Sequence, residues 1–213
     1  MKLELKKYTS TPRIFCVGHN YVEHIKELNS EMPKEPTIFM KPYAALNLNS
    51  EIHIPKYGKE FHYEAELVVR IGKNGVVETE EQADEFISGL AIGLDLTLRD
   101  IQRQLKITAL PWEKAKAFES SAVITDFVAY DKNIDLQALE FECYVNNVLR
   151  QKAMTSDMLF TIKYLLKHIS SIWNFKVDDL IFTGTPVGVG ELFLGDKITL
   201  KSTLKHNETW TII

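Results

Sequence analysis

The sequence predicts a β-rich mixed α/β fold. Short apolar or alternating runs bounded by Gly, Asn and Asp dominate the chain, helical patterns are few, and those few are interspersed irregularly rather than alternating with strands as a doubly wound sheet requires. In chain order, an apolar run predicts a strand over 14–17, ending at Gly18, and Asn20 with Glu23 three residues on predicts a short helix through about Leu28. Clean alternation predicts a strand over 62–71. Thr79 with Gln82 has capping-box spacing for a helix that stops at Gly89, and the apolar stretch 89–96 predicts another strand. Thr97 with Asp100 repeats the capping signal before 101–105. Segments 140–145 and 148–151 flank Asn146-Asn147, a pair that tolerates the positive φ of a type I′ hairpin. Ile162, Leu165, Leu166 and Ile169 form a core-facing stripe in a helix over 157–170. Strands over 180–183 and 197–201 follow turn signals at Asp178-Asp179 and Gly195-Asp196.

At 213 residues, 45% apolar and 25% charged, the chain suits one catalytic-sized domain, 1–213. No linker or repeat divides it. Net charge is −4 with acids and bases mixed, so no basic block points to nucleic acid and no cationic amphipathic stretch points to a membrane surface. No apolar run approaches the roughly 20 residues of a spanning helix. The first dozen residues show no signal-peptide or transit pattern, and Cys16 and Cys143, far apart in apolar runs, read as buried reduced thiols. A cytoplasmic location is expected.

Chemistry enters at Glu64 and Glu66. In a strand over 62–71, Tyr63, Ala65, Leu67, Val69 and Ile71 share one face, and the two glutamates point together from the other. Like charges side by side require something positive between them, either lysines on a solvated edge or a metal ion. Asp95, ending an apolar run, is placed to join them. Three carboxylates without Cys or His make an all-oxygen site suited to Mg²⁺, Mn²⁺ or Ca²⁺. His24 and Glu27 share a helix face: they are either a general base with its orienting carboxylate or an exposed i, i+3 pair. The segment running on to Pro33 and Pro36 makes 20–36 a candidate mobile lid. Lys114 and Lys116 lie among bulky apolar residues and read as anion-neutralising groups or surface lysines. The loop from Thr183 to Gly190 is not a P-loop. Its backbone N–H groups could approach a small carboxylate, or it could be a structural turn. His53, His168 and His206 read as structural or solvated.

Taken together, Cys16-Val17-Gly18-His19-Asn20-Tyr21 with His24 and Glu27, then Phe39-Met40-Lys41-Pro42, resembles the opening of the fumarylacetoacetate hydrolase family. Glu64-Ala65-Glu66-Leu67 with Ile71-Gly72-Lys73, Asp95 through Arg99-Asp100 with Gln102, Pro111-Trp112 through Lys116-Ala117-Phe118, and Thr183-Gly184-Thr185-Pro186 through Gly190 follow in family order. The resemblance spans about 13–201. It implies a β-roll of mixed sheets with flanking helices, a homodimer, Mg²⁺ on Glu64, Glu66 and Asp95, catalysis by His24, Glu27 and Lys116, and a small 2-oxo acid held by Gln102, Arg99, Thr185 and His19.

The reaction it implies is hydrolytic cleavage of a C–C bond in an acylpyruvate through a metal-stabilised pyruvate enolate. Alternatives are an oxaloacetate decarboxylase or keto–enol tautomerase at the same site, and a non-catalytic metal or small-acid binding module. The chain departs from the family pattern at His19, where many members carry arginine, and at 119–123, which lack a common Cys-Pro pair. It departs again at Asn147, in place of a frequent hairpin glycine.

Overall fold

The computed structural model describes residues 9–27 and 31–213. Residues 28–30, within the candidate lid, and most of the N-terminal dozen lie outside the described residues. Strands β1 (Ile14–Gly18), β2 (Thr37–Lys41), β3 (Leu46–Asn47) and β4 (Glu51–Ile52) come first, with helix α1 (Val22–Glu27) between β1 and β2. Then follow β5 (Phe61–Tyr63), β6 (Ala65–Ile71), β7 (Ile87–Asp95) and β8 (Thr97–Leu98), leading into α2 (Arg99–Ile107) and α3 (Glu113–Lys116). The remainder comprises β9 (Ala122–Ile124), β10 (Val128–Ala129), β11 (Glu140–Val145), β12 (Val148–Met154), α4 (Ile162–Ile172), β13 (Leu180–Phe182), β14 (Gly190–Glu191), β15 (Lys197–Ser202) and β16 (Asn207–Ile212).

The fold is mixed α/β and β-rich. The largest sheet has the order β2-β1-β13-β6-β7-β9-β3, with β10 also on β7. A second runs β12-β11-β15-β16-β4 and a small third β14-β5-β8. Pairing is mostly antiparallel, with parallel contacts at β1/β13, β3/β9 and β4/β16. Because β6 lies mid-sheet between β13 and β7, both its edges are paired, and Glu64 falls in the break between β5 and β6. Tyr63, Ala65, Leu67, Val69 and Ile71 enter the main core as the alternation predicts, while Val68, on the glutamate face, joins a second cluster with Cys16, Ala91 and Phe182. The solvated-edge alternative for Glu64 and Glu66 is therefore excluded by topology.

Several local expectations hold. Asn146 and Asn147 sit at φ 52° and 64°, joining β11 to β12. All four residues of the α4 stripe are fully buried, and Thr161 caps that helix by accepting the Tyr164 N–H. Both cysteines are free and buried. Three capping expectations fail, two of them because tertiary bonds take a polar side chain. The Thr79 segment is only a 3-10 turn, Glu80–Glu85, and the chain has already entered β7 before Gly89. Thr97 lies in β8 and donates to the Asp95 carbonyl, and Asp100 accepts from the Lys59 and Glu60 N–H groups instead. Asn20 bonds the main chain of Phe160 and Thr183 rather than capping α1.

Gly93 is opposite Glu66 in the β6/β7 register, and a Cβ there would come within 2.7 Å of Phe182 and of the Val123 carbonyl. Gly93→Ala should destabilise the protein by about 1–3 kcal/mol, read as a lower denaturant midpoint at unchanged slope.

Candidate active site

The ends of β6 and β7 bring the acids together. The Asp95 N–H donates to the Glu64 carbonyl at 2.8 Å, which aligns the two positions across the sheet, and Glu66 follows two residues on, on the same face. Oxygens of Glu64, Glu66 and Asp95 lie within 4.8 Å of one another, and all three residues are buried. Three cations answer them. Lys116, at the end of α3, donates to Glu64 Oε2 at 2.6 Å and Asp95 Oδ2 at 2.7 Å. Arg99, which opens α2, pairs with Glu64 Oε1 and also donates to Gln102 Oε1. Lys41, 1% exposed at the end of β2, stands 2.7 Å from Asp95 Oδ1 while bonding the Ser121 hydroxyl and carbonyl at 3.0 Å.

These charges set the protonation states. Burial alone would raise the Glu64 carboxyl, but Lys116 and Arg99 hold it well below the usual carboxylate range. Glu66 goes the other way: burial, then the negative charges of Asp95 and Glu64, push it well up, and the Gly184 N–H at 2.7 Å only partly offsets them. An acid raised for want of positive charge, beside others already paired, is what a site short of a cation looks like. Asp95 Oδ1 also receives no directed hydrogen bond despite the nearby Lys41 ammonium. Buried all-oxygen donors of this kind fit a hard divalent cation. The Lys116 ammonium stands between Glu64 and Asp95, so metal entry requires its four-carbon stem to swing aside.

The same cleft, about 20 Å³, is lined by His24, His19, Arg99, Gln102 and Thr185 as well as the triad. That is room for about one water, so a substrate enters only with movement of lining side chains. His24 is 3% exposed, which excludes the surface-pair alternative. Its Nδ1 is 2.8 Å from Glu27 Oε2. A carboxylate only accepts, so Nδ1 carries the proton and Nε2 keeps its lone pair. Burial lowers the His24 pKa, although Glu64 and Glu27 oppose the shift; the ring is neutral at pH 7.

The glycine loop acts on protein carboxylates. The Gly184 N–H binds Glu66 and the Gly188 N–H reaches Glu27 Oε1 at 3.1 Å, so one loop steadies both a triad acid and the orienting glutamate. Gly184 is required: its φ is 104°, and a Cβ would lie 2.6 Å from Asn20. The Thr185 hydroxyl donates to the Ala65 carbonyl and accepts from Gln151. Gln151 also accepts the Ala65 N–H, latching the loop to β6. Lys114 is exposed and outside the cleft.

Sequence reasoning assigned no role to Lys41, Gln151 or Lys106. Lys41 stands in a quoted motif, and a lysine closing an apolar strand is the available signal. His19 lies at φ 59°, and burial followed by the Lys106 charge lowers its pKa to about 4. His206, buried between Ser202 and the Asp126 carbonyl, is also lowered, first by burial. Folded pKa values below the unfolded value mean that the unfolded chain binds more protons. Stability is thus complete above about pH 6.5 and falls as the pH drops towards 4, which acid titration of the thermal midpoint should show.

A β-rich roll that seats a buried acid triad beside an imidazole–carboxylate pair defines a class of protein able to hold a metal ion next to a base. The chain belongs to the fumarylacetoacetate hydrolase family: residues 13–211 match the description Fumarylacetoacetate (FAA) hydrolase C-terminal, and the chain is an enzyme. It is 41% identical over 186 residues to a Mus musculus protein named oxaloacetate tautomerase FAHD1, mitochondrial, covering 87% of this chain and 84% of the relative. It is equally 41% identical over 190 residues to oxaloacetate tautomerase YcgM of Escherichia coli K12, with 88% and 87% covered. Among solved structures it resembles fumarylpyruvate hydrolase from Pseudomonas aeruginosa in complex with Mn²⁺ and pyruvate, at TM-score 0.90 and 30% identity, covering 95% of this chain and 90% of that one. No helix among the described residues is long and apolar enough to cross a membrane.

Proposed function

We propose that this enzyme is an oxaloacetate keto–enol tautomerase dependent on a divalent cation, Mg²⁺ first and Mn²⁺ next. The observation that carries the proposal is a buried His24, oriented by Glu27, lining the same narrow cleft as the Glu64–Glu66–Asp95 triad. The tautomerase names of the two 41%-identical relatives favour this reaction over acylpyruvate hydrolysis, the expectation drawn from the sequence. A non-catalytic binding module would not need the His24–Glu27 pair.

Glu64, Glu66 and Asp95 would hold the cation, which when bound supplies Lewis-acid polarisation of the substrate's 2-oxo oxygen. The chain's own residues move the proton. His24 Nε2 takes it from C3 of the keto form, and the resulting imidazolium, stabilised by Glu27, returns it to the oxygen at C2. Lys116, once displaced from the triad, and Arg99 with Gln102 face the C1 carboxylate and neutralise it. The Thr185 hydroxyl, tied to Ala65 and Gln151, fixes the loop wall.

Loss of the enol absorbance of oxaloacetate should accelerate with Mg²⁺, return to the uncatalysed rate in EDTA, and proceed without matching CO₂ release. Stoichiometric CO₂ release would make the enzyme a decarboxylase. Faster metal-dependent cleavage of fumarylpyruvate, the reaction named for the Pseudomonas structure, would restore the hydrolase reading, with His24 deprotonating water instead.

A further inference from the structure

Of the three cations that line the cleft, Arg99 and Lys116 are ion-paired with Glu64. Lys106, on the last turn of α2, makes no ion pair with any carboxylate among the described residues. Its ammonium is nevertheless held in place. Nζ lies 3.3 Å from His19 Nε2 and 5.2 Å from the centroid of the Trp112 ring. Trp112 in turn packs edge-on against His19, with centroids 6.1 Å apart, and against Phe39 at 5.7 Å. An ammonium has three N–H donors and no acceptor. One is taken by the His19 lone pair and the ring face stabilises the charge from another side, which leaves donors free at the cleft wall. A half-buried, desolvated cation, fixed by an imidazole and an indole and lacking a counter-charge, is complementary to an anion that arrives with the ligand.

We propose that Lys106, steadied by His19 and Trp112, binds the distal carboxylate of a dicarboxylic 2-oxo acid, so that the cleft selects dicarboxylates over monocarboxylates with the same 2-oxo acid head. The triad, Arg99 and Gln102 deal with the 2-oxo and C1 carboxylate groups common to all such acids, whereas Lys106 reads the feature that distinguishes oxaloacetate from pyruvate. This inference deepens the tautomerase reading and rests on the same site. It assigns Lys106 to substrate selection and gives it no part in proton transfer.

The test compares pyruvate with oxaloacetate, two ligands that differ by one carboxylate. On the Mn²⁺-loaded enzyme, dissociation constants for both are measured by calorimetry, together with KM and kcat for oxaloacetate, in wild type, Lys106→Met and Lys106→Arg. Methionine keeps the stem length and removes the charge at a half-exposed position, so folding is preserved, and the thermal midpoint verifies this. Lys106→Met should weaken oxaloacetate binding and raise its KM roughly tenfold or more, change pyruvate binding less than twofold, and leave kcat within a fewfold. Lys106→Arg should recover most of the preference. Equal weakening of both ligands, no weakening of oxaloacetate, or a wild type that binds the two alike would overturn the proposal. Wild type that prefers oxaloacetate through Lys106 but does not tautomerise it would instead sink the functional reading alone. Wild type that tautomerises with an unchanged preference in Lys106→Met would sink only this inference.

Discussion

His24→Ala lowers kcat for oxaloacetate tautomerisation by roughly 10²–10⁴-fold, the usual range for removal of a positioned general base, while Mn²⁺ binding and the thermal midpoint stay close to wild type. The reason is geometric. His24 lines the triad cleft with an imidazole whose Nδ1 is committed to Glu27, leaving Nε2 to act as the base. Its burial holds the pKa below 6.5, so the basic form persists as the pH falls and the acid limb of kcat/KM lies below the range of a free imidazole. Glu27→Gln removes a charge that raises the His24 pKa, and the acid limb should move lower still as the rate drops. Stopped-flow decay of the enol from pH 5 to 8 measures both variants. Retention of wild-type kcat by His24→Ala would remove His24 from the chemistry.

Asp95→Ala has the largest expected effect on the protein as a whole. Asp95 is 1% exposed and sits between two buried ammonium groups, Lys41 and Lys116, each 2.7 Å from one of its oxygens. Removing it leaves Lys41 with carbonyl and hydroxyl partners but no carboxylate, and leaves Lys116 on Glu64 alone. Breaking a buried pair from one side typically costs about 3–5 kcal/mol, because the remaining charge stays desolvated. Chemical denaturation should show that loss together with complete loss of metal-dependent activity. Asp95→Asn keeps the volume and separates the two effects: activity and metal affinity fall, and more of the stability survives.

Much of this site is readable from sequence because its chemistry is local. The alternation pairs Glu64 with Glu66, although the expected strand over 62–71 is broken at Glu64 into β5 and β6; His24 and Glu27 share a helix face by spacing, and the Asn146-Asn147 hairpin and α4 stripe follow from backbone and packing rules that need no distant partner. What is not readable depends on partners far along the chain. That Glu64 and Glu66 are buried follows from distant groups closing over them: Arg99 and Lys116 on Glu64, and Gly184, more than a hundred residues later, on Glu66. Asn20 and Asp100 carry cap-forming side chains, but Phe160, Thr183, Lys59 and Glu60 offer them better-placed groups. Lys41 reads as an ordinary strand end until Asp95 and Ser121 close over it, and Lys106 as a surface lysine until Trp112 folds beneath it. The positive φ of His19 and the Gly184 contact with Glu66 likewise exist only in the folded chain.

The central claim is that Glu64, Glu66 and Asp95 together grip one divalent cation in place of the Lys116 ammonium. Titration with Mn²⁺, followed by water-proton relaxation, tests it most directly on wild type, Glu66→Gln and Asp95→Asn. The expected result is one saturable site per wild-type chain, weakened at least a hundredfold in both variants. Absence of Mn²⁺ binding by the wild type, or equal affinity in all three proteins, would contradict it.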